Sequence, residues 1–424
     1  MTAGPDVIAH RRVTVSGPAA QPAIEPAVAE EASGPHPDAP LVEAARLREA
    51  AVALHRAASA VAEGAGAADT RVAVRLVSRW VNRELGALGY VPRTRLEALV
   101  QLRVVGPSGR AVPLLWQWAG ADPLAALGAT ADRLAGEIRA ALTAAPLAEP
   151  FAGPVVLAAD LAVHFAHETL GHSLEADNYR GYAAGAGLAL GTRVASEVLT
   201  VLDGPVPDGA AVDGTGLDGA AVNGPGLDGA GLDGSAPGGL ETSQPVDDEG
   251  HPAAVTPLVD AGVVSGVLTD AREAREQGLP RTGNGRRAFG AGRALPRMSS
   301  VCVARGATPA GELIGSVRRG LYCRGAWGGG SVEEFFVIRP AYAEWIEDGE
   351  LTGRLVGRLD LKGRKTAALR SLRQVGDDLA VFNPVTGCGK DGQELPVSMA
   401  SPSLGFERLT AVPLPVARRA PVVG

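Results

Sequence analysis

The sequence predicts an α+β protein, with an N-terminal α/β domain and a C-terminal domain that is mostly antiparallel β-sheet. Three observations predict this class. Helical and strand-like patterns are mixed over residues 41–150, short strand candidates dominate from residue 246 onward, and a helix rich in histidine lies between them. We group this helix with the N-terminal part of the fold, as a central segment at 151–202. The 424 residues, 46% of them hydrophobic, suffice for two or three domains with sizeable cores.

Composition excludes several classes of protein. The net charge of −7 disfavours nucleic-acid binding. Three cysteines are too few for a disulfide framework and fit a reducing compartment. No apolar stretch approaches the ~18 residues of a membrane span, and the N-terminus lacks the apolar run of a signal peptide. We therefore expect a cytoplasmic protein that binds neither nucleic acid nor membranes.

The first elements follow from local patterns. Residues 1–40 are rich in Ala, Pro and Glu without an apolar period, which predicts a disordered tail. Beyond them, apolar residues spaced by three and four from Leu41 to Leu54 predict a helix. Alternation over Arg71–Leu76 and the run Leu96–Val105 predict strands, and Pro123–Leu142 predicts a second helix. These elements make up the N-terminal α/β domain, 41–150.

A low-complexity insert is expected at 203–245. Asx-Gly recurs there every five residues, beginning at Asp203 and ending at Asp233. Asp side chains and carbonyl oxygens suit calcium, which gives one interpretation of the repeat. A flexible surface loop is the interpretation we favour, because dense glycine is costly to order.

The C-terminal domain, 246–424, is expected to be rich in short strands separated by turn signals. The strand candidates are Ala254–Leu258, Val263–Leu268, Ser299–Val303, Glu333–Ile338, Ala343–Ile346 and Leu351–Val356. One helix candidate, Lys365–Val375, interrupts them.

The chemistry of the chain is expected at a cluster of histidines. Of seven histidines, three lie within nine residues, His164, His167 and His172, and Glu168 follows the second. The preceding Val155–Leu157 has the pattern of a short buried strand, so the cluster begins a helix. Imidazole and carboxylate groups on one helix are typical zinc ligands, which makes a metal site the favoured interpretation.

Spacing leaves two candidate ligand sets open. His167 and His172 are five residues apart, about 140° around a regular helix, so both can face one metal only if the helix deforms. Gly171 is placed to allow a π-bulge or an early helix end. Alternatively, His164, Glu168, His172 and Glu175 form one stripe of a regular helix.

A third ligand must come from another part of the chain. Cys388 is flanked by Gly387 and Gly389, which let the backbone approach closely, and the nearby Lys390 could favour the thiolate. Cys302 and Cys323 lie in apolar, strand-like segments where packing explains them.

With these residues identified, the sequence resembles the TldD/PmbA family of zinc metallopeptidases over roughly 155–200 and 246–415. The block His167-Glu168-Thr-Leu-Gly171-His172-Ser-Leu-Glu175-Ala-Asp177 is similar to the family's His-Glu-x-x-Gly-His-x-x-Glu-x-Asp. A second block is Thr282–Arg287 with Pro296–Met298, and a third runs from Gly387 to Gln393. Three blocks in the same order are more specific than any one alone.

The resemblance implies that Zn²⁺ is bound by His167, His172 and Cys388, with Glu168 as the base that activates water. It implies a cytoplasmic hydrolase that matures or degrades small unstructured peptides, and a dimer, in one form with a PmbA (TldE)-like subunit lacking the His-Glu motif. Two alternatives remain open. One is a biosynthetic peptidase with one dedicated natural-product peptide, and the other is a non-catalytic binding subunit.

Two arginines in the second block are weaker candidates. Arg286 and Arg287 could bind a peptide carboxylate. A structural role in a glycine-rich loop explains them equally well.

Overall fold

The computed structural model describes residues 7–18, 27–33, 41–67, 70–84, 90–105, 111–120, 122–204, 246–288, 291–385 and 387–414. Within these ranges, no helix combines the length and apolar character needed to cross a membrane. Of the insert expected at 203–245, residues 205–245 lie outside the described residues.

The N-terminal part is one antiparallel sheet covered by helices on one face. Its elements are β1 (Val7–Pro18), β2 (Ala27–Ser33), α1 (Ala44–Gly64), β3 (Thr70–Glu84), β4 (Tyr90–Val105), β5 (Ala111–Gly120), α2 (Pro123–Ala129) and α3 (Ala131–Thr143). The strand order is β2-β1-β3-β4-β5. The next strand, β6 (Ala145–Pro146), belongs to a different sheet. Val72, Val74 and Leu76 of β3 are buried, and Leu47 and Leu54 of α1 belong to the same core. The alternation of β3 and the spacing of α1 therefore produce one apolar layer.

The disordered tail expected at 1–40 is wrong for the described part of that range. Strands β1 and β2 lie within it and extend the sheet beyond β3. Val13 and Val15 alternate along β1 and are fully buried, which supplies the apolar face that a strand needs. The alternation of apolar residues in β1 covers too few positions to be recognised among the surrounding Ala and Pro residues.

The remaining elements share a second core. They are β7 (Phe151–Leu157), α4 (Ala159–Ala166), α5 (Ala176–Asn178), β8 (Val201–Asp203), β9 (Thr256–Asp260), β10 (Val263–Val264), α6 (Ala271–Gln277), β11 (Gly285–Arg286), β12 (Leu295–Pro296), β13 (Ser300–Val303), α7 (Ala310–Gly315), β14 (Arg319–Val332), β15 (Phe335–Glu347), β16 (Glu350–Gly357), β17 (Leu359–Arg364), α8 (Lys365–Ser371), β18 (Leu372–Val375), β19 (Ala380–Phe382), β20 (Cys388–Lys390), β21 (Gln393–Leu395), β22 (Ser398–Ser401) and β23 (Leu404–Pro413). The α+β class and the mostly antiparallel C-terminal sheets are confirmed.

Two sheets enclose the histidine helix. One sheet has the order β14-β7-β23-β17-β15-β16-β6 and closes on itself because β14 also pairs with β15. The other has the order β10-β9-β8-β13-β22-β19. Helix α4 contacts β14 of the first sheet and β13 and β22 of the second. Phe165 of α4 packs edge-on against Phe336 and Phe406, with ring centroids 5.4 and 4.8 Å away. The helix is therefore held rigidly from both sides.

Two expected helices differ in extent. The helix expected at Pro123–Leu142 is two helices separated at Thr130, whose hydroxyl donates to the carbonyl of Ala126 and accepts from Trp116 Nε1. Such a side-chain bond competes with the helical main-chain pattern. The helix expected at Lys365–Val375 ends at Ser371, because Leu372–Val375 pairs with β23 instead.

The strand candidates on either side of Pro340 form one strand, β15. Pro340 lies inside this strand although proline cannot donate to a ladder. It pairs with Ala326 at a bulge in β14, where the ladder is already irregular. The following two-residue turn, Asp348-Gly349, has positive φ at both positions, as a tight hairpin requires.

Candidate metal centre

The two histidines of the motif face the same side because the helix changes its winding between them. Regular α4 ends at Ala166, a π-helical turn covers His167–Gly171, and a 3₁₀ turn covers His172–Leu174. The N–H of His172 donates to the carbonyl of His167, five residues earlier. A π turn therefore places residues i and i+5 one above the other. The helix deforms at the position where the sequence suggested it.

Gly171 is required by a close approach rather than by an unusual backbone angle. A Cβ at this position would lie 2.1 Å from Sδ of the buried Met298. With any larger residue, either the Met298 side chain or the π turn would have to shift. This glycine thus lets the second sequence block pack directly beneath the histidine motif.

Three side chains meet at the end of this turn. The ligand atoms of His167, His172 and Cys388 all lie within 4.8 Å of one another. The imidazole rings are perpendicular, with centroids 4.8 Å apart. Cys388, at the start of hairpin β20–β21, has its Sγ 3.1 Å from Nε2 of His172. The fold thus brings two residues of the helix next to one residue of a β-hairpin that is distant in sequence.

The regular-helix stripe is not the arrangement that the structure contains. Within the described residues, the group able to hold a metal is His167, His172 and Cys388, without His164. Glu175 accepts a hydrogen bond from Nδ1 of His172 and points away from the ligand atoms. Burial, together with the nearby charges of His167 and Arg133, lowers the pKa of His164 to about 4, so it is neutral near pH 7.

Glu175 organises the surroundings of the centre, a role that spacing alone did not reveal. This fully buried carboxylate accepts from His172 Nδ1 at 3.1 Å, from the main-chain N–H of Met298 at 3.2 Å and from Lys390 Nζ at 3.0 Å. Burial would raise the pKa of Glu175, but the charges of His172 and Lys390 outweigh it and lower the pKa to about 2. The ionised carboxylate therefore orients the imidazole.

The cationic side chains of Lys390 and Arg297 form hydrogen bonds between the three sequence blocks. Lys390 donates to Glu175, to Asp177 and to the carbonyl of Pro296. It does not pair with the Cys388 thiol as its position in sequence suggested. Arg297 is fully buried and donates to the carbonyl of Cys388. The signal for both was their place in the resembling blocks, but their partners are distant in sequence.

The Cys388 thiol is a thiolate at neutral pH. Burial alone would raise its pKa, but charge interactions and hydrogen bonds with His167 and His172 outweigh burial and lower the pKa to about 5. Cys302 and Cys323, by contrast, are buried in the core, and burial raises both thiol pKa values. Only Cys388, among these three, is a suitable ligand.

The centre opens into a cavity of about 2080 Å³. One wall carries His167, Glu168, His172 and Cys388, and the facing wall is formed by β3, β4 and β5 of the N-terminal sheet. Glu168 is buried beside Gly329 of β14, where a Cβ would lie 3.2 Å from its Oε1. The glycine-rich part of β14, from Gly328 to Gly330, therefore runs close to the carboxylate.

The edge of β14 that borders the cavity is open beyond Cys323. Strand β7 pairs with β14 at Leu321–Cys323 and no further. On the opposite edge, β15 follows β14 as far as Val332. Among the described residues, no strand pairs with the cavity side of the glycine-rich stretch. Its main-chain groups are available for an extended ligand.

Arg286 and Arg287 do not line the cavity. The guanidinium group of Arg286 is buried and donates to the carbonyls of Met298 and Pro396. That of Arg287 donates to the carbonyl of Ala291. These contacts favour the structural role over carboxylate binding.

The first Asx-Gly pair also lies inside the fold rather than in the insert. Asp203 ends β8, is fully buried, and accepts hydrogen bonds from Asn284 Nδ2 and from the main-chain N–H groups of Ser299 and Ser300. The insert as expected from residue 203 therefore begins too early.

A comparison with protein families identifies the chain. The model described as the PmbA/TldA metallopeptidase C-terminal domain matches residues 152–223 and 232–412, more than half of the sequence. The chain belongs to the PmbA/TldD metallopeptidase family. All three sequence blocks and the whole ligand group lie inside the matched residues.

Individual relatives agree with this assignment. A "Metalloprotease TldD homolog" from Buchnera aphidicola is 30% identical over 261 residues, which are 61% of this chain and 47% of that protein. A "Metalloprotease" from Methanothermobacter thermautotrophicus is 32% identical over 241 residues, 56% of this chain and 45% of that protein. The chain thus spans about half the length of these curated relatives.

The fold is also similar to that of solved structures. The crystal structure of TldE from Thermococcus kodakarensis superposes with a TM-score of 0.64 and covers 96% of each chain, at 17% sequence identity. At this identity the likeness concerns the fold.

Proposed function

We propose that this chain is a zinc-dependent peptidase that hydrolyses small unstructured peptides in the cytoplasm, either to mature or to degrade them. One observation carries the proposal. The ligand atoms of His167, His172 and Cys388 lie within 4.8 Å of one another in the wall of a cavity that Glu168 also lines. The names of the related metalloproteases support the same reaction class.

The donor set suits zinc. Two imidazoles and a thiolate are ligands that zinc prefers, and three protein ligands leave one coordination position for water or substrate. Nδ1 of His167 is buried without a hydrogen-bond partner among the described residues. Nε2 of His172 lies 3.1 Å from Sγ of Cys388, and metal binding would displace the proton on Nε2 that faces the thiolate. When bound, zinc would supply a Lewis acid that lowers the pKa of water and polarises a carbonyl.

Other side chains around the centre would move the proton and hold the ligands in position. Glu168 takes a proton from the attacking water and delivers it to the leaving amine. Glu175 holds Nδ1 of His172, so that Nε2 is directed toward Cys388 and the centre. Lys390 and Arg297 hold the Cys388 hairpin against the motif helix.

The open edge of β14 would bind the peptide as an added strand. Main-chain hydrogen bonds to Gly328–Gly330 would give affinity with little sequence preference. Glycine at these positions leaves room for the substrate beside Glu168. This arrangement favours unstructured peptides, because a folded protein cannot present a free extended segment.

We further propose a dimer, in one form with a PmbA (TldE)-like subunit. Large apolar side chains near the β14–β15 turn are exposed, with Val332 at 75% and Phe335 at 49%. Exposed apolar groups of this kind mark interaction surfaces. Light scattering on the purified chain, alone and with such a subunit, would measure the assembly.

Metal content tests the function directly. Mass spectrometry should find about one zinc per chain, and Cys388→Ser and His172→Ala should both lose it. The wild type should cleave a quenched fluorescent peptide, and activity should disappear with a chelator and return with zinc. A wild type that neither contains nor takes up zinc would instead indicate a non-catalytic binding subunit.

A further inference from the structure

A buried lysine beside the centre has no role in the chemistry described so far. Lys365 begins α8 and is 1% exposed. Its Nζ donates to Ser173 Oγ at 2.9 Å and to Tyr182 OH at 3.0 Å. Within the described part of the chain it forms no ion pair. Nζ also lies 5.2 Å from the centroid of the Tyr182 ring. Burying an ammonium group without an ion pair is costly, so a purely structural role explains it poorly.

Lys365 lies close to two carboxylates of the centre. Burial lowers its pKa to about 8, and the carboxylates of Glu168 and Glu175 oppose this shift. These are the proposed base and the carboxylate that orients His172. Lys365 therefore lies within electrostatic reach of the centre, although it does not line the cavity.

The hydrogen-bond directions determine where the Tyr182 proton points. An ammonium group only donates, so Ser173 and Tyr182 both accept from Lys365. The two hydroxyl oxygens are 3.2 Å apart, so one of them donates to the other. Ser173 is fully buried, and among the described residues the other group bonded to its hydroxyl is the ammonium of Lys365, which cannot accept, so we assign Ser173 as the donor and Tyr182 as the acceptor. The serine proton therefore goes to the phenol oxygen, which leaves the phenol proton free.

Tyr182 presents this proton to the cavity. Its side chain lines the same cavity as Glu168 and His172. Burial raises the pKa of Tyr182, so the phenol remains protonated at neutral pH. A neutral donor whose oxygen already accepts two hydrogen bonds is held in one orientation.

We propose that Tyr182 is a catalytic hydrogen-bond donor to the oxygen of the scissile carbonyl, and that Lys365 and Ser173 are the positioning residues that orient it. The inference rests on the proposed peptidase function. In peptide hydrolysis the carbonyl oxygen gains negative charge in the transition state, and a preorganised donor stabilises that charge. The phenol keeps its proton throughout, while the water proton passes through Glu168 to the amine.

Tyr182→Phe tests the donor in the zinc-loaded enzyme, with Tyr179→Phe as a matched control. Tyr179 and Tyr182 both lie in the π-helical segment Tyr179–Leu188. The Tyr179 hydroxyl accepts from the main-chain N–H of Leu190, and Tyr179 does not line the cavity. We expect Tyr182→Phe to lower kcat about 100-fold, the loss typical of a single oxyanion donor. KM and zinc content should be unchanged, and Tyr179→Phe should stay within about twofold of wild type.

A phosphinic peptide inhibitor gives a second readout, since its tetrahedral oxygens resemble the transition state. Its inhibition constant should rise in Tyr182→Phe by the same factor as kcat/KM falls. Lys365→Met should lower kcat about tenfold alone and have almost no further effect in the Tyr182→Phe background, because it acts through the phenol. Ser173→Ala provides the same test if Lys365→Met does not fold.

Unchanged kcat in Tyr182→Phe, or additive losses in the double variant, would overturn this inference while leaving the peptidase intact. Loss of zinc in Tyr182→Phe would also overturn it, by showing a structural role. A zinc-loaded wild type that cleaves no peptide would remove the proposed function and this inference together.

Discussion

Glu175 illustrates how much of the centre depends on one buried carboxylate. It contacts the motif helix through His172, the second block through Met298 and the third block through Lys390. All three blocks therefore converge on a residue that binds no metal itself. Partners of this kind set ligand orientation and basicity.

Glu175→Gln should weaken zinc binding by about 10- to 100-fold, because the amide cannot supply the charge that orients His172. Competition with a chromogenic chelator measures the affinity. Asp177→Asn is the control, since Asp177 also binds Lys390 but does not contact His172. Equal affinities for wild type and Glu175→Gln would show that His172 needs no such partner.

Glu168→Gln should keep a full complement of zinc and lower kcat by about 10²- to 10⁴-fold, the usual contribution of a general base. Metal analysis and peptide hydrolysis on the same sample separate the two effects. Glu168 would not be the base if the variant retained its activity.

At the scale of the element, the π turn brings two histidines with an unfavourable spacing to the same side of the helix. Five residues separate His167 from His172, and a regular helix would turn them apart. Gly171 permits the altered winding to pack against Met298. The helix is therefore shaped by a contact with a residue more than a hundred positions later.

Gly171→Ala should destabilise the protein by about 1–3 kcal/mol, the usual cost of overpacking, because its methyl group would collide with Met298. Thermal and urea unfolding of the zinc-free and zinc-loaded protein measure this loss of stability. Gly185→Ala is the matched control, since a Cβ there meets nothing within 4 Å. Equal melting temperatures for the two variants would contradict the proposed contact.

A second element-scale feature is a buried acidic pair between α3 and α4. Burial raises the pKa of Glu137 to about 7, with Arg133 and Arg324 opposing the shift, and burial also raises the pKa of Asp160. A raised carboxyl pKa means that the folded chain binds more protons than the unfolded chain. Stability should therefore fall as the pH rises from about 4.5 to about 7.

Glu137→Gln should remove this loss and raise the free energy of unfolding at pH 8 by up to about 3 kcal/mol, with little effect at pH 4. Urea unfolding at both pH values provides the measurement. A stabilisation independent of pH would show that the Glu137 carboxyl does not titrate in this range.

At the scale of the whole molecule, two separately packed parts face each other across the cavity. The N-terminal sheet and its helices have their own core, and the sheets around α4 have another. Arg71 of β3 and Arg103 of β4 line the sheet side and are direct cross-strand partners. Like charges at such positions repel, which favours an anionic ligand between them.

Replacing Arg71 and Arg103 by Gln should raise KM about tenfold for a peptide with acidic side chains and leave a matched neutral peptide unchanged. Arg75→Gln is the control, because Arg75 is on the same strand but does not line the cavity. The same change in KM for both peptides would show that Arg71 and Arg103 do not select acidic peptides.

What the sequence determined by itself is local. The histidine spacing, the possible helix deformation at Gly171, the strand patterns of β3 and β4 and the glycine-flanked Cys388 are all visible within short windows, because helical and strand periods are properties of neighbouring residues. The resemblance supplied the third ligand, because spacing alone cannot join Cys388 to a helix far away in sequence.

The tertiary structure alone decided which groups support the ligands. Lys390 and Glu175 are 215 residues apart, and Lys365 and Ser173 are 192 apart. It also decided that Val7–Pro18 is a strand, since Val13 and Val15 acquire an apolar partner only when β3 lies beside them. Such contacts form only when the sheets close and the helices pack against them. The free energy that stabilises this arrangement comes from burial of apolar surface across the whole core, and no local sequence pattern contains it.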